Sequence, residues 1–287
     1  MSQLAKPVKV FGEFGDGPGQ LDRPYDLAVD AQGRVFVAEI GNDRVSVFSR
    51  DGEFERHVDG FDEVRGLCVD NAFGRLLTVA HVLCQLQATD VQSGVVVGKL
   101  GSEGSGENQF RNPQGVCTDE FGNVVVIDTW NHRVCVLSPD LRWSFAFGKN
   151  GEEEDQFTYP MHACFAGDTL LVSNTCHYRV QAMRIQRKHA SGEITRLSFA
   201  ATFGRYGDGP GQFRGPMGVC VDAATGRVFI SDEGNARVCV FDSQYRYLHS
   251  VAVSGSSCAC MYTQPNEPIG VFVVNPSAHE VHMYAIP

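Results

Sequence analysis

Short apolar runs separated by tight polar turns recur along almost the whole chain. In the first complete stretch, Tyr25-Asp-Leu-Ala-Val-Asp30 reads as a strand closed by a turn-forming Asp, with Ala31-Gln-Gly33 as the turn. Residues 34–38 make a second run, Glu39-Ile-Gly-Asn-Asp43 a loop, and residues 44–48 a third run. Arg50-Asp-Gly52 is the next turn and residues 54–58 a fourth run. Four short strands joined by tight turns predict one antiparallel sheet of the kind that forms a propeller blade.

The polar positions between runs are as regular as the apolar ones. Residues 11–24, 100–113, 147–160 and 203–216 share one fourteen-residue pattern: aromatic or Leu, Gly, two free positions, Gly, four loose positions, Gln, Phe or Leu, two more, Pro. A unit recurring roughly every 40–60 residues indicates a propeller or solenoid, whose single units cannot bury their own apolar faces. Within the units, Gly33, Glu39, Asn42 and Arg44 correspond to Gly122, Asp128, Asn131 and Arg133, and to Gly226, Asp232, Asn235 and Arg237. The unit ending near Phe203 keeps Asn174, His177 and Arg179. The unit over 59–100 has Ala80, Leu83 and Gln85 instead, behind a short leading loop, 59–66.

The sixth unit offers three strands, over 256–262, 269–274 and 280–286. Residues 7–11, Pro7-Val-Lys-Val-Phe11, match the fourth-strand endings at 143–147 and 200–203 and are expected to supply the missing outer strand, removing an exposed sheet edge. The expectation is an all-β, six-bladed β-propeller forming one domain over 1–287. Its blades fall near 21–58, 59–100, 110–147, 157–203, 213–252, and 256–286 plus 7–11.

These units resemble NHL repeats, as in Phe-Gly-x-x-Gly…Gln-Phe-x-x-Pro-x-Gly-Val and Gly-Asn-x-Arg-Val, over essentially the whole chain. The resemblance implies the six-bladed propeller found at the C-terminal end of tripartite-motif ubiquitin ligases. It does not carry their activity, because the 287 residues contain no RING cysteines, B-box or coiled coil.

Composition narrows the reading. Apolar residues make up 43% and charged residues 20%, as in a globular protein, and no apolar stretch approaches the ~18 residues of a spanning helix. A formal net charge of −10 disfavours sequence-independent binding to nucleic acid or anionic lipid, which needs a basic surface. Of the ten cysteines, Cys68, Cys117, Cys164 and Cys220 share one repeat position, and Cys135 and Cys239 another. Such a register suits small free thiols packed between blades rather than disulfides. There is no CxxC, and Cys258 and Cys260 are too close for a zinc ribbon. A reduced, cytoplasmic protein is expected.

The glycine series Gly12, Gly15, Gly17, Gly19 and its partner from Gly204 to Gly211 precede strands, not helices, so they read as turns rather than phosphate cradles. The acid five residues before Arg recurs in three blades and is expected to tie the hairpin loop, with Asn capping its backbone.

Blade order puts the leading loops and the second-to-third strand loops on one rim. That rim is expected to carry Tyr25, Arg65, Arg111, Trp130, His132, Arg133, Tyr159, His177, Tyr178, Tyr206 and Arg214, with His162 nearer the axis. Aromatics and Arg are typical interface anchors. Trp130 replaces the Gly41 and Gly234 of sister blades. The insertion at 184–192, with Arg196, gathers Arg184, Arg187, Lys188 and Arg196. It reads either as a solvated hairpin at the opposite rim or as a dock for an acidic partner.

Three functional readings follow. The leading one is a non-catalytic module that binds a protein or peptide through the loop rim, as a monomer without cofactor, metal or membrane contact. It would serve as the substrate-recognition part of a ubiquitin-ligase-like system. The second, implied by the tripartite-motif resemblance, is RNA binding, which those domains perform with a basic rim. The third is a metal-dependent propeller enzyme. The lyase half of the peptide-amidating enzyme holds a metal with histidines from different blades, and here only His162 fits such a place. The gluconolactonase-like hydrolases begin their acid-and-asparagine cluster at a Glu-Gly-Pro, which this chain lacks.

Overall fold

The computed structural model describes residues 5–253, 259–262 and 269–286, with residues 259–262 and 269 described by backbone alone. The described residues form six antiparallel four-stranded sheets arranged in a ring. Blade 1 comprises β2 (Pro24–Val29), β3 (Val35–Glu39), β4 (Arg44–Phe48) and β5 (Phe54–Val58). Blade 2 comprises β6 (Val64–Asp70), β7 (Arg75–Ala80), β8 (Gln85–Asp90) and β9 (Val96–Leu100). Blade 3 comprises β10 (Pro113–Thr118), β11 (Val124–Asp128), β12 (Arg133–Leu137) and β13 (Trp143–Phe147). Blade 4 comprises β14 (Pro160–Ala166), β15 (Thr169–Asn174), β16 (Arg179–Arg187) and β17 (Ile194–Phe203). Blade 5 comprises β18 (Pro216–Val221), β19 (Val228–Asp232), β20 (Arg237–Phe241) and β21 (Tyr247–Ala252). Blade 6 comprises β22 (Ala259–Tyr262), β23 (Ile269–Asn275), β24 (Glu280–Ile286) and, as its outer strand, β1 (Lys9–Phe11).

Alternation along each central strand explains why the runs are apolar throughout rather than on one face. In β3, Val35 and Val37 join a cluster with Phe272 and Val274 of blade 6, while Phe36 and Ala38 join one with Leu67, Val69 and Leu76 of blade 2. Both faces of the strand are covered by neighbouring blades, so all five residues are buried. Six such clusters fill the six junctions of the ring.

The ring closes as expected. β1 pairs with β24 in the register Lys9↔Met283, Val10↔His282 and Phe11↔Val281. The Phe11 ring lies 4.8 Å from Phe48 of blade 1 and 6.3 Å from Phe272 of blade 6. Near the axis the inner strands approach so closely that only glycine fits at two positions. A Cβ on Gly66 would stand 2.4 Å from the Gln114 carbonyl oxygen, and one on Gly115 2.7 Å from that of Met161.

Two local features sharpen the sequence expectation. The insertion of blade 4 is largely regular structure, since Arg184 and Arg187 lie in β16 and Arg196 lies in β17. Short 3-10 turns, Thr129–Asn131, Thr175–His177 and Glu233–Asn235, replace simple loops between the second and third strands of blades 3 to 5. No helix among the described residues is long and apolar enough to cross a membrane.

Candidate interaction rim

Each fourteen-residue leading loop is clamped onto the hairpin of the blade it introduces. In three of the four the Gln folds back to accept from a loop amide: Gln20 Oε1 from Gly17 N–H at 2.9 Å, Gln109 from Gly106 at 3.0 Å, Gln212 from Gly209 at 3.0 Å. The following Leu21, Phe110, Phe157 or Phe213 is fully buried between blades. The closing Pro then begins the inner strand, where a missing N–H costs nothing.

From the hairpin, the acid accepts the loop amide two residues before the Pro. Glu39 receives Asp22 N–H at 3.0 Å, Asp128 receives Arg111 N–H at 2.6 Å, and Asp232 receives Arg214 N–H at 2.8 Å. Asn42, Asn131 and Asn235 donate to the carbonyls of Gly15, Gly104 and Gly207. Arg133 pairs with Asp128 at 2.8 Å and donates to the carbonyls of Ser105, Gly106 and Gln109. Its polar capacity is therefore spent within the clamp. Burial pushes the Asp128 carboxyl upward, opposed by these donors.

On this rigid base the remaining rim residues fall into local groups. Trp130 stands 56% exposed, its amide donating to the Arg111 carbonyl, with the Arg111 side chain exposed beside it. His132, in the left-handed region at φ 55°, lies edge-on to Tyr159 of the next blade with ring centroids 4.8 Å apart. Its Nδ1 accepts the Tyr159 amide at 3.2 Å, and burial pushes the imidazole pKa down. Tyr178 meets Tyr206 edge-on at 4.8 Å, and the Arg214 guanidinium sits 6.0 Å from the Tyr206 ring. His177 lies 4.0 Å from Glu152 and is pushed down by burial.

Other candidates lie inward. Arg65 stacks on Tyr25 at 4.7 Å, and the Tyr25 hydroxyl donates to Gln114 Oε1 at 3.1 Å, above the axial channel. Burial raises the Tyr25 pKa. His162 faces the channel rather than the rim: its Nδ1 lies 3.4 Å from the Val219 amide, which donates to it. Asp26 of blade 1 does the same work on the other side of the ring, accepting from its neighbour Leu27 and from the Leu67 amide of blade 2. Below this level is a cavity of about 170 Å³ lined by Cys68, Cys117, Cys164 and Cys220 with apolar neighbours. Burial pushes the Cys68 thiol up to about 11 and the Cys164 thiol to about 12. Among the described residues no three His, Cys, Asp or Glu side chains converge as a metal-binding set.

The repeat that builds these clamps is a known one. Residues 110–137 and 213–241, each running from the buried Phe through the third strand, match the NHL repeat family. The chain thus carries NHL repeats on a six-bladed β-propeller. The chain is 30% identical over 135 residues to the B-box type zinc finger protein ncl-1 of Caenorhabditis elegans, covering 44% of this chain and 15% of that one. It is 43% identical over 51 residues to the E3 ubiquitin-protein ligase TRIM71 of Rattus norvegicus, covering 18% of this chain and 6% of that one. The matched parts span 15% or less of the length of the first curated relatives. Among solved structures, a gluconolactonase from Xanthomonas campestris superimposes with a TM-score of 0.69 at 21% identity, covering 94% of this chain and 88% of that one. Likeness at that identity speaks for the fold alone.

At the opposite end of the propeller the basic insertion is partly tied down. Arg187 pairs with the buried Asp119 of blade 3 and with Asp168 at 3.2 Å, and its guanidinium lies 5.1 Å from the Phe121 ring. Lys188 pairs with Glu193 at 2.7 Å. Arg184 and Arg196 are exposed on the extended strands. Arg187 thus braces the base of the hairpin against blade 3, 68 residues upstream, while Arg184, Lys188 and Arg196 stay exposed on it.

Sequence reasoning missed two rim features. Phe14, 68% exposed, packs edge-on against His279 of blade 6 at 4.7 Å. Its position matches that of Tyr206 in the leading loop, and that equivalence was the available signal. Val82 and Leu83 are exposed at the tip of the blade 2 hairpin, 59% and 47%.

Proposed function

We propose that this NHL propeller is a non-catalytic interaction module that grips a protein or peptide through its loop rim, as the substrate-recognition part of a ubiquitin-ligase-like system. The observation that carries the reading is the row of half-exposed aromatics on a clamped base. Phe14, Trp130, Tyr159 and Tyr206 are 68%, 56%, 42% and 62% exposed, while the loops beneath them are held by a buried carboxylate, or by Asn174 in blade 4, and by arginines. Rigid aromatics with neighbouring Arg111 and Arg214 supply contact area at low entropic cost. The same carboxylates that would interest a chemist are engaged in holding loops. The TRIM71 match supports the ligase context.

The test is affinity capture with quantitative mass spectrometry, comparing the native chain with a Trp130→Ala/Tyr206→Ala double variant whose melt is unchanged. Loss of the captured proteins supports the rim, and an unchanged set overturns it. A parallel measurement addresses nucleic acid: retention on RNA or heparin at neutral pH as salt is varied. A chain with net charge −10 is expected to show little retention, whereas a steep salt slope would transfer the rim to RNA.

A further inference from the structure

We propose that the upper end of blade 2 is the docking point for a partner segment carrying one large apolar side chain flanked by Lys or Arg. The inference rests on the interaction-module reading and narrows it to a place and a peptide chemistry.

Blades 1, 3, 4 and 5 show what normally occupies this position. In each, a long leading loop lies across the second-to-third strand hairpin and is held by that blade's Arg, as Arg44 holds the Asp16 and Gln20 carbonyls and Arg237 those of Asp208, Gly209 and Gln212. Between β5 and β6 there are only residues 59–63, too few to reach over the hairpin. The hairpin has changed to match. Gln85 stands where the other blades have Arg, and Leu83 where blades 1, 3 and 5 have Asn. The result is an apolar tip that the described residues leave uncovered.

Beside the tip is a cleft of about 80 Å³ between the short leading loop and the blade 2 sheet, lined by Phe61, Val64, Ala80 and Leu83, with Gln85 and Gln87 at its polar end. Phe61 sits at the position of the fully buried Leu21, Phe110, Phe157 and Phe213, yet stays half-buried because no loop closes over it. One partner side chain entering here would cover Phe61 and Leu83 and remove their apolar surface from water.

Charge selects what flanks that anchor. Asp43, Asp59 and Asp62 are exposed around the tip, and Glu63 is half-buried among them, its amide donating to Asp43 Oδ1 at 2.9 Å. His81 lies 3.2 Å from Glu63, and burial and Arg65 push its pKa down, so it adds no charge at neutral pH. Against four acids stand Lys99 in the cleft wall and Arg65, which is stacked on Tyr25. A polyanion or a second copy of this acidic patch would meet like charge; a cationic segment meets complementary charge.

The probe is an array of twelve-residue peptides with a single central Leu, Phe or Trp flanked by Lys and Arg. Matched arrays carry Glu flanks or a central Gly. The native chain should bind the cationic anchored set with salt-dependent affinity and bind neither control set. Leu83→Asp and Asp59→Lys/Asp62→Lys should each weaken binding at least tenfold without shifting the melt, since these side chains are exposed, and Ser144→Ala on the far outer strand should leave it unchanged. Binding that ignores flank charge, or survives both blade 2 variants, overturns the proposal. The rim variants in affinity capture read out separately, so either reading can fail alone.

Discussion

Asn174 occupies the position at which Glu39, Asp128 and Asp232 anchor their blades, and the difference leaves a mark on its partner. In blades 1, 3 and 5 the acid receives the guanidinium Nε of Arg44, Arg133 and Arg237 at 2.9, 2.8 and 3.1 Å. In blade 4, Asn174 Nδ2 instead donates to Gln181 Oε1, and the buried Nε of Arg179 is left without a partner among the described residues. Burial consequently pushes the Arg179 pKa down. An orphaned buried donor costs about 1–3 kcal/mol. Asn174→Asp supplies the missing acceptor at the sister-blade geometry, and the Gln181 amide must turn to donate to it, giving up its bond to the Glu154 carbonyl. It should raise the melting temperature by about 2–4 °C for a domain of this size. An unchanged or lower melt in calorimetry would show that the buried carboxylate costs more than the pair returns.

At the scale of elements, the strand that opens the chain and the loops that follow it set the ring. β1 contributes only three residues, but Phe11 is 9% exposed and inserts between blades 6 and 1. Phe11→Ala should cost about 3–5 kcal/mol, the range for deleting a buried phenyl ring. Removal of residues 1–11 should lower the melt by several degrees and expose the β24 edge to association. A monomeric, unshifted melt for the truncated chain would remove β1 from the closure.

This strand was legible in sequence because Pro7 to Phe11 copies the endings of sister strands, and the clamps were legible because Gln, acid, Asn and Arg repeat at fixed spacing. What escaped the sequence has no periodic signature. Arg187 finds Asp119 across a blade junction, and β16 and β17 extend their pairing as far as Arg187↔Ile194 through residues that read as a polar insertion. The loss of the blade 2 motif was visible as Ala80, Leu83 and Gln85. That it leaves an exposed apolar tip follows only from the missing loop's place in three dimensions.

For the whole molecule, the histidines decide how stability responds to acid. Burial is the largest cause holding His57, His81, His132, His177 and His249 below the ordinary histidine value of 6.5. With folded values depressed, the unfolded chain takes up protons first as pH falls. The contribution from these residues is thus complete above about pH 6.5 and is lost as pH drops through the lower folded values. Asp128 and Glu233, raised by burial, act in the opposite direction, and mainly nearer the carboxylate range. Between pH 7.5 and 5.5 the histidines should dominate, giving a melting temperature that is nearly flat above pH 7 and falls below it. His132→Asn keeps a side chain tolerant of the left-handed backbone and an acceptor for the Tyr159 amide, but cannot take up a proton. It should flatten part of that slope. A melt that rises on acidification, or a variant with the full native slope, would show that the blade junction at His132 does not depend on a neutral ring.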